Sequence, residues 1–178
     1  MKILWAPWRA EYIYCAIGKP STARRHCLFC NLLKTQDDPQ NLILYRGRHA
    51  FVVMNRFPYN NGHLMVAPNR HAADLETLSA AESTEMFRLA QKSLAVLRRA
   101  LKPHGFNVGA NLGRVAGAGV AGHLHVHIVP RWLGDANFMP LLSETKVISE
   151  HLAETYQKLR RQFRSPHCRA GAAAAKSE

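Results

Sequence analysis

The chain has 178 residues, 47% of them hydrophobic, which suits one globular domain with its own core and argues against a disordered or fibrous polymer. No apolar run approaches the ~20 residues needed to span a bilayer, and Pro7 and Arg9 interrupt the start before a signal-peptide core can form, so a cytoplasmic protein with no membrane partner is expected. The formal net charge of +12 points to an anionic partner without saying which; a polyphosphate substrate on a generally basic surface is preferred, and nucleic acid stays open.

Residues 1–20 show no clear period, and 1–26 reads as an extended arm whose Trp5 and Trp8 bury against the body or a partner subunit. Cys27-Leu-Phe-Cys30 opens a short helical stretch to about Leu33, and Asp37-Asp38-Pro39 forms a turn. Strands follow at 42–45 and 50–54, linked by Gly47, and at 63–67 after the turn-forming Pro58-Tyr-Asn-Asn-Gly62. Ser79-Ala-Ala-Glu82 is a capping-box signature. From there to about Leu101, Met86, Leu89, Ala90, Leu94 and Leu97 recur at helical spacing until Pro103 and Gly105 stop the helix.

Further strands are expected at 106–111 and 123–129, and a final helix, with room for an early break, at 141–163. Residues 166–178 read as a disordered tail. Strands without regular β-α-β alternation, meeting two main helices, favour an α+β fold on an antiparallel sheet. The expected organisation is an arm (1–26), one domain (27–140), a C-terminal helix (141–165) and the tail.

Gly122-His-Leu-His-Val-His-Ile-Val-Pro-Arg-Trp132 is the densest chemical feature. On a strand, side chains alternate between faces, so His123, His125 and His127 would share one face at roughly 6–7 Å spacing. A polar strand face that happens to carry histidines is the plainer account; three in strict alternation, followed by Pro130-Arg131, count against it. Neutral imidazole can attack phosphorus near pH 7, and the phosphoramidate formed is labile enough to be attacked in turn. His125, flanked on both sides, is the natural nucleophile, with His127 bonding the phosphates or assisting the leaving group.

Before that strand, Asn111, Gly113, Gly117, Gly119 and Gly122 stand in a glycine-rich run that could hold anions through an amide and close backbone approach. Such runs are often only turns; next to the histidine strand this one is read as a phosphate cradle. Arg131 suits bidentate phosphate contact but can equally face solvent, while Asp135 and Asn137 could fix this loop or a dimer. Cys27 and Cys30 have metal-ligand spacing and need two more ligands; zinc is favoured over a redox pair because no thioredoxin-like frame surrounds them.

His123-Leu-His-Val-His-Ile-Val129 resembles the signature of the histidine triad (HIT) superfamily of nucleotide hydrolases and transferases, over roughly residues 27 to 140. The forms Trp5-Ala-Pro-Trp-Arg-Ala-Glu-Tyr12 and Pro130 to Pro140 are similar to its prokaryotic branch, which includes diadenosine tetraphosphate phosphorylases. The resemblance implies a five-stranded antiparallel sheet, a homodimer and a covalent nucleotidyl-His125 intermediate. It also implies a supporting role for His63, a phosphate contact from Asn111 and a ribose contact from Asn55.

For the cysteine pair the resemblance implies His71 and His123 as the remaining ligands of a structural zinc, with His49 the alternative third ligand and His26 a remote one. One departure stands out. The eukaryotic branches carry Gln followed by Ser or Thr where this chain places Ala118 and Gly119, so backbone amides of Gly119 and Val120 are expected to replace those contacts.

The expected activity is transfer or hydrolysis on dinucleoside polyphosphates, phosphorolysis favoured, with magnesium only as a companion of the substrate. Its rivals are a nucleoside phosphoramidase acting through the same histidine and a non-catalytic, zinc-stabilised nucleic-acid-binding protein.

Overall fold

The computed structural model describes residues 27–135 and 150–165. The expectations for the arm, for His26, for Asn137, for the start of the last helix and for the tail lie outside them. Within the described residues the order is α1 (Leu28–Lys34), α2 (Asp38–Asn41), β1 (Ile43–Arg46), β2 (Ala50–Met54), β3 (Leu64–Pro68), a 3-10 turn (Leu75–Thr77), α3 (Ala80–Leu101), β4 (Gly105–Ala110), β5 (Val126–Arg131) and α4 (Leu152–Arg164). The strands form one antiparallel sheet in the order β1-β2-β3-β5-β4. The fold is therefore the expected α+β architecture: a five-stranded antiparallel sheet with two long helices.

Every residue of β2 and β3 is buried, because these short apolar, β-branched runs sit mid-sheet with material on both faces. On one face α3 lays down Met86, Leu89, Val96 and Leu97. Its start is fixed by a complete capping box, in which the Ser79 hydroxyl accepts the Glu82 N–H and Glu82 returns the bond to the Ser79 N–H at 2.8 Å. On the other face Phe29 of α1 meets Phe51 edge-on at 6.2 Å between ring centres. Helix α4 covers the β1 edge, where the buried Tyr156 hydroxyl donates to the Ile43 carbonyl at 3.0 Å.

The fifth strand begins later than the alternation of histidines predicts. Pairing of β3 with β5 ends at Val66 opposite Val126; continued, the same register would set Pro68 opposite Leu124. Proline has no N–H to offer the ladder. The chain instead turns there: the Leu124 N–H bonds the Ala72 carbonyl at 2.7 Å, and His123 Nε2 donates to the Pro68 carbonyl at 2.9 Å. His123 thus leaves the strand face that His125 and His127 approach, and the triad divides into one histidine facing α1 and His71, and two facing a cavity.

Candidate active site

His125 and His127 stand with ring centres 4.7 Å apart, nearly perpendicular. They line a cavity of about 140 Å³ together with Asn55, Gly119 and Val120, and its apolar wall comes from Leu28, Phe29, Leu32, Leu42, Val53 and Met65. His125 is 5% exposed and lies against Phe29, ring centres 4.9 Å apart.

The hydrogen bonds fix which nitrogens carry protons. His125 Nδ1 donates to the His123 carbonyl at 2.8 Å, which leaves the lone pair on Nε2. The Tyr59 N–H donates to His63 Nδ1 at 3.0 Å, so a neutral His63 carries its proton on Nε2. That proton is shared with His127 Nδ1 at 2.9 Å. His127 Nδ1 is then the acceptor, and its own proton sits on Nε2. Two adjacent imidazoles are thereby set in opposite states, one with a free lone pair and one with an N–H.

Burial holds His125 below the usual histidine range, and its bond to the His123 carbonyl opposes this in part. Burial also pushes His127 down to about 4, with the neighbouring His125 adding to the effect. Both rings are neutral at pH 7, the state a nitrogen nucleophile needs.

The glycine-rich run divides. Gly119 and Val120 reach the cavity, whereas Asn111, Gly113 and Gly117 belong to the exposed turn beside it, where the Asn111 amide donates to the Gly117 carbonyl at 3.4 Å. Gly113 and Gly117 adopt φ of 77° and 89°, the left-handed region in which a side chain would be strained. Asn55 lines the cavity while its amide bonds His63 at 3.3 Å and its oxygen takes the Phe57 N–H at 3.0 Å.

Arg131 departs from its expected phosphate role. Its guanidinium forms a two-pronged pair with Asp135 at 2.7 and 2.8 Å and also donates to Asn107 at 3.0 Å. The carboxylate four residues on satisfies the fork, and Asp135 Oδ2 also takes the Trp132 N–H and the Asn60 amide. Arg131 therefore braces the loop after β5 and does not line the cavity. Phe29 and Tyr59, by contrast, matter more than the sequence suggested. Tyr59 packs on His63 and His127, ring centres 4.7 and 5.6 Å apart, and its only sequence signal was an aromatic inside a turn.

Next to this pair of rings lies a second cluster. The donor atoms of Cys27, Cys30, His71 and His123 all fall within 4.8 Å of one another. Cys27 Sγ is 3.2 Å from His123 Nδ1, and Cys30 Sγ is 3.4 Å from His71 Nδ1 and 3.6 Å from His123 Nδ1. Tetrahedral zinc with ordinary bond lengths sets its donors roughly 3.3–3.8 Å apart. The His123 tautomer fits as well, since donation from Nε2 to Pro68 leaves Nδ1 free to ligate, the outer-shell arrangement usual for metal-bound imidazole. Two thiols and two imidazoles form a donor set that suits zinc. His49 is not in the cluster; its backbone N–H is held by the Glu85 carboxylate.

Comparison with known proteins agrees with this geometry. The chain is 42% identical over 158 residues to a Mycobacterium tuberculosis protein named AP-4-A phosphorylase, covering 88% of this chain and 81% of that one. It is 31% identical over 115 residues to the asymmetrical bis(5'-nucleosyl)-tetraphosphatase of Schizosaccharomyces pombe, covering 64% of this chain and 63% of that one. The fold matches a zinc-bound histidine triad family protein from Mycobacterium smegmatis with a TM-score of 0.64 at 23% identity, over 86% of this chain and all of that one. A family model described as the HIT domain matches residues 36–132, the stretch that carries the sheet, both cavity histidines and two of the four metal-type ligands; the chain belongs to the HIT-domain family.

Proposed function

We propose that the protein is an enzyme cleaving dinucleoside polyphosphates such as diadenosine tetraphosphate, through a covalent nucleotidyl-His125 intermediate resolved preferentially by inorganic phosphate. The observation that carries this reading is the opposed pair of tautomers. His125 offers its Nε2 lone pair because Nδ1 is committed to the His123 carbonyl, and His127 offers an Nε2 proton because Nδ1 is committed to His63. The 42% identical phosphorylase supports the substrate class and the acceptor.

In the first step His125 Nε2 attacks the α-phosphorus, the bond from that phosphorus to its bridging oxygen breaks, and the nucleoside polyphosphate leaves with a proton from His127. In the second step an oxygen of inorganic phosphate attacks the same phosphorus, gives its proton back to His127 and displaces His125 Nε2, giving a nucleoside diphosphate. The apolar wall of the cavity suits the base, and Asn55 the ribose. Backbone amides of Gly119 and Val120 supply the phosphate contacts that side chains provide in other branches, with Asn111, Gly113 and Gly117 holding the turn that presents them.

Zinc on Cys27, Cys30, His71 and His123 would act as a structural crosslink between α1 and the approach to β5. Magnesium would enter only with the polyphosphate substrate. A homodimer in the cytoplasm, where nucleotide substrates meet reduced thiols, completes the assignment. No helix among the described residues is long and apolar enough to cross a membrane.

Product analysis of diadenosine tetraphosphate with and without inorganic phosphate tests the reading. ADP plus ATP formed only with phosphate is expected. AMP plus ATP in both conditions would make water the acceptor. His125→Ala should lower turnover by about 10³-fold or more; full turnover by that variant would remove the covalent mechanism.

A further inference from the structure

A second and larger groove, of about 600 Å³, runs along α4. From α4 it receives Gln157, Arg160, Arg161 and Arg164, positions three or four apart that share one helix face. Leu152 to Arg164 covers about 18 Å at the usual rise per residue. The opposite wall brings Arg56, which follows β2 and donates to the Gln40 carbonyl at 2.9 Å. Four guanidiniums from two separate parts of the chain therefore converge on one depression. Among the described residues none of the four is in an ion pair. Of the two carboxylates whose charge reaches Tyr156 in the groove, Asp38 is held by Arg46 at 2.8 Å and Asp37 takes the Gln40 N–H at the start of α2.

Basic residues in a helix's last turn can be explained by the helix dipole alone. That accounts for Arg161 and Arg164 but not for Arg56 arriving from the sheet side. A single phosphate is satisfied by one or two guanidiniums, and a groove of this length and volume is large enough for a nucleotide-sized ligand. Its position also separates it from the triad chemistry. His127 on β5, His63 before β3, Asn55 after β2 and Leu42 before β1 stand in sheet order along one end of the sheet. The groove therefore lies beyond the β1 side, past the apolar wall of the triad cavity. Leu42, in a left-handed conformation at φ 58°, and Arg56 line both spaces.

We propose that this groove is a second anion site that binds a polyphosphate chain, distinct from the one His125 acts on. The chain belongs either to inorganic polyphosphate or to a nucleoside polyphosphate. The inference rests on the α4 groove and not on His125 being a nucleophile.

The test is isothermal titration of the full chain with sodium tripolyphosphate and, separately, with ATP, the triad cavity being saturated with AMP. The site variant is Arg161→Glu with Arg164→Glu, which leaves Arg56 and the buried Tyr156 intact. A control variant, Arg88→Glu with Arg99→Glu on α3, makes the same change in net charge elsewhere. Tripolyphosphate should bind the wild type and the control and bind the site variant at least about tenfold more weakly. If only ATP shows this pattern, the site stands and requires the nucleoside.

Equal affinity in all three proteins, equal weakening in both variants, or binding of neither tripolyphosphate nor ATP would overturn the proposal. So would a single-stranded RNA binding in the variant-sensitive manner while both phosphate probes fail. Loss of diadenosine tetraphosphate turnover in His125→Ala, with the groove titration unchanged, separates this inference from the proposed chemistry.

Discussion

His127 takes its chemical state from a residue 64 positions away. His63 Nδ1 is occupied by the Tyr59 N–H, so its Nε2 proton goes to His127 Nδ1 and turns the far nitrogen of His127 into a donor. Replacing His63 with Phe keeps the ring against Tyr59 and removes the bond. The expected result is a kcat about 10–100-fold lower with a smaller change in KM, because a proton donor to the leaving group acts in the transition state. Steady-state kinetics decide it, and an unchanged kcat would mean that the His63 bond is only architectural.

The same residue sets a pH dependence of stability. In the folded chain His127 titrates near 4, against 6.5 for an ordinary histidine. The unfolded chain therefore takes up this proton first as pH falls. The stability associated with the neutral ring is complete above about pH 6.5 and is lost progressively as pH drops toward about 4. Melting temperatures between pH 7.5 and 4 should fall over that window in the wild type and fall less steeply in His127→Gln. Parallel curves would assign the loss to other groups.

At this scale the sequence carried the identities of the residues that cluster and missed their states. His125 and His127 were legible from spacing, and the four metal-type ligands from a cysteine pair and the family pattern. Proton positions depend on backbone groups such as the Tyr59 N–H, for which no motif exists. Arg131 was left open between phosphate and solvent for a related reason: a guanidinium beside a histidine strand looks like an anion clamp until Asp135, four residues along, takes both prongs of its fork.

Among the elements, α3 was readable to within a residue because both its signals are local, the capping box at Ser79 and Glu82 and the apolar spacing behind it. The start of β5 was not, because it depends on Pro68 in the partner strand. Nothing in His123-Leu-His-Val-His says that the ladder must stop at Val126. That interruption is useful: it turns His123 back toward Cys27 and Cys30 while its carbonyl holds His125.

One residue thus joins the metal-type cluster to the cavity, and α1 brings Cys30 to that cluster beside the buried Phe29. Protein purified without chelator should contain about one zinc per chain, and Cys30→Ser should lose it with a fall in melting temperature of roughly 5–10 °C. Elemental analysis and calorimetry on both proteins provide the check. A metal-free wild type with both thiols reactive would remove zinc from the assignment.

For the whole molecule, the two edges of the sheet are treated differently. The β1 edge lies under α4 with Tyr156 bonded to its backbone. Among the described residues nothing covers the β4 edge: Asn107 to Ala110 are exposed, Val108 is 51% exposed, and no described residue lies within 4 Å of where a side chain would start at Gly105 or Gly109. An open antiparallel edge presents unpaired N–H and C=O groups and invites another strand. The identical edge of a second copy, related by a two-fold axis, is a self-complementary partner, since antiparallel pairing of a strand with itself closes the assembly at two.

Strand β4 runs directly into Asn111 and the glycine-rich turn, so pairing there would also steady the loop that presents Gly119 and Val120. Light scattering should therefore give a mass twice that of the 20.0 kDa chain. Val108→Arg, which sets like charges against each other across the two-fold axis, should shift the equilibrium toward monomer and raise KM through the loosened loop. A wild-type monomer at micromolar concentration would remove the dimer, and a Val108→Arg protein that stays dimeric would place its interface away from the β4 edge.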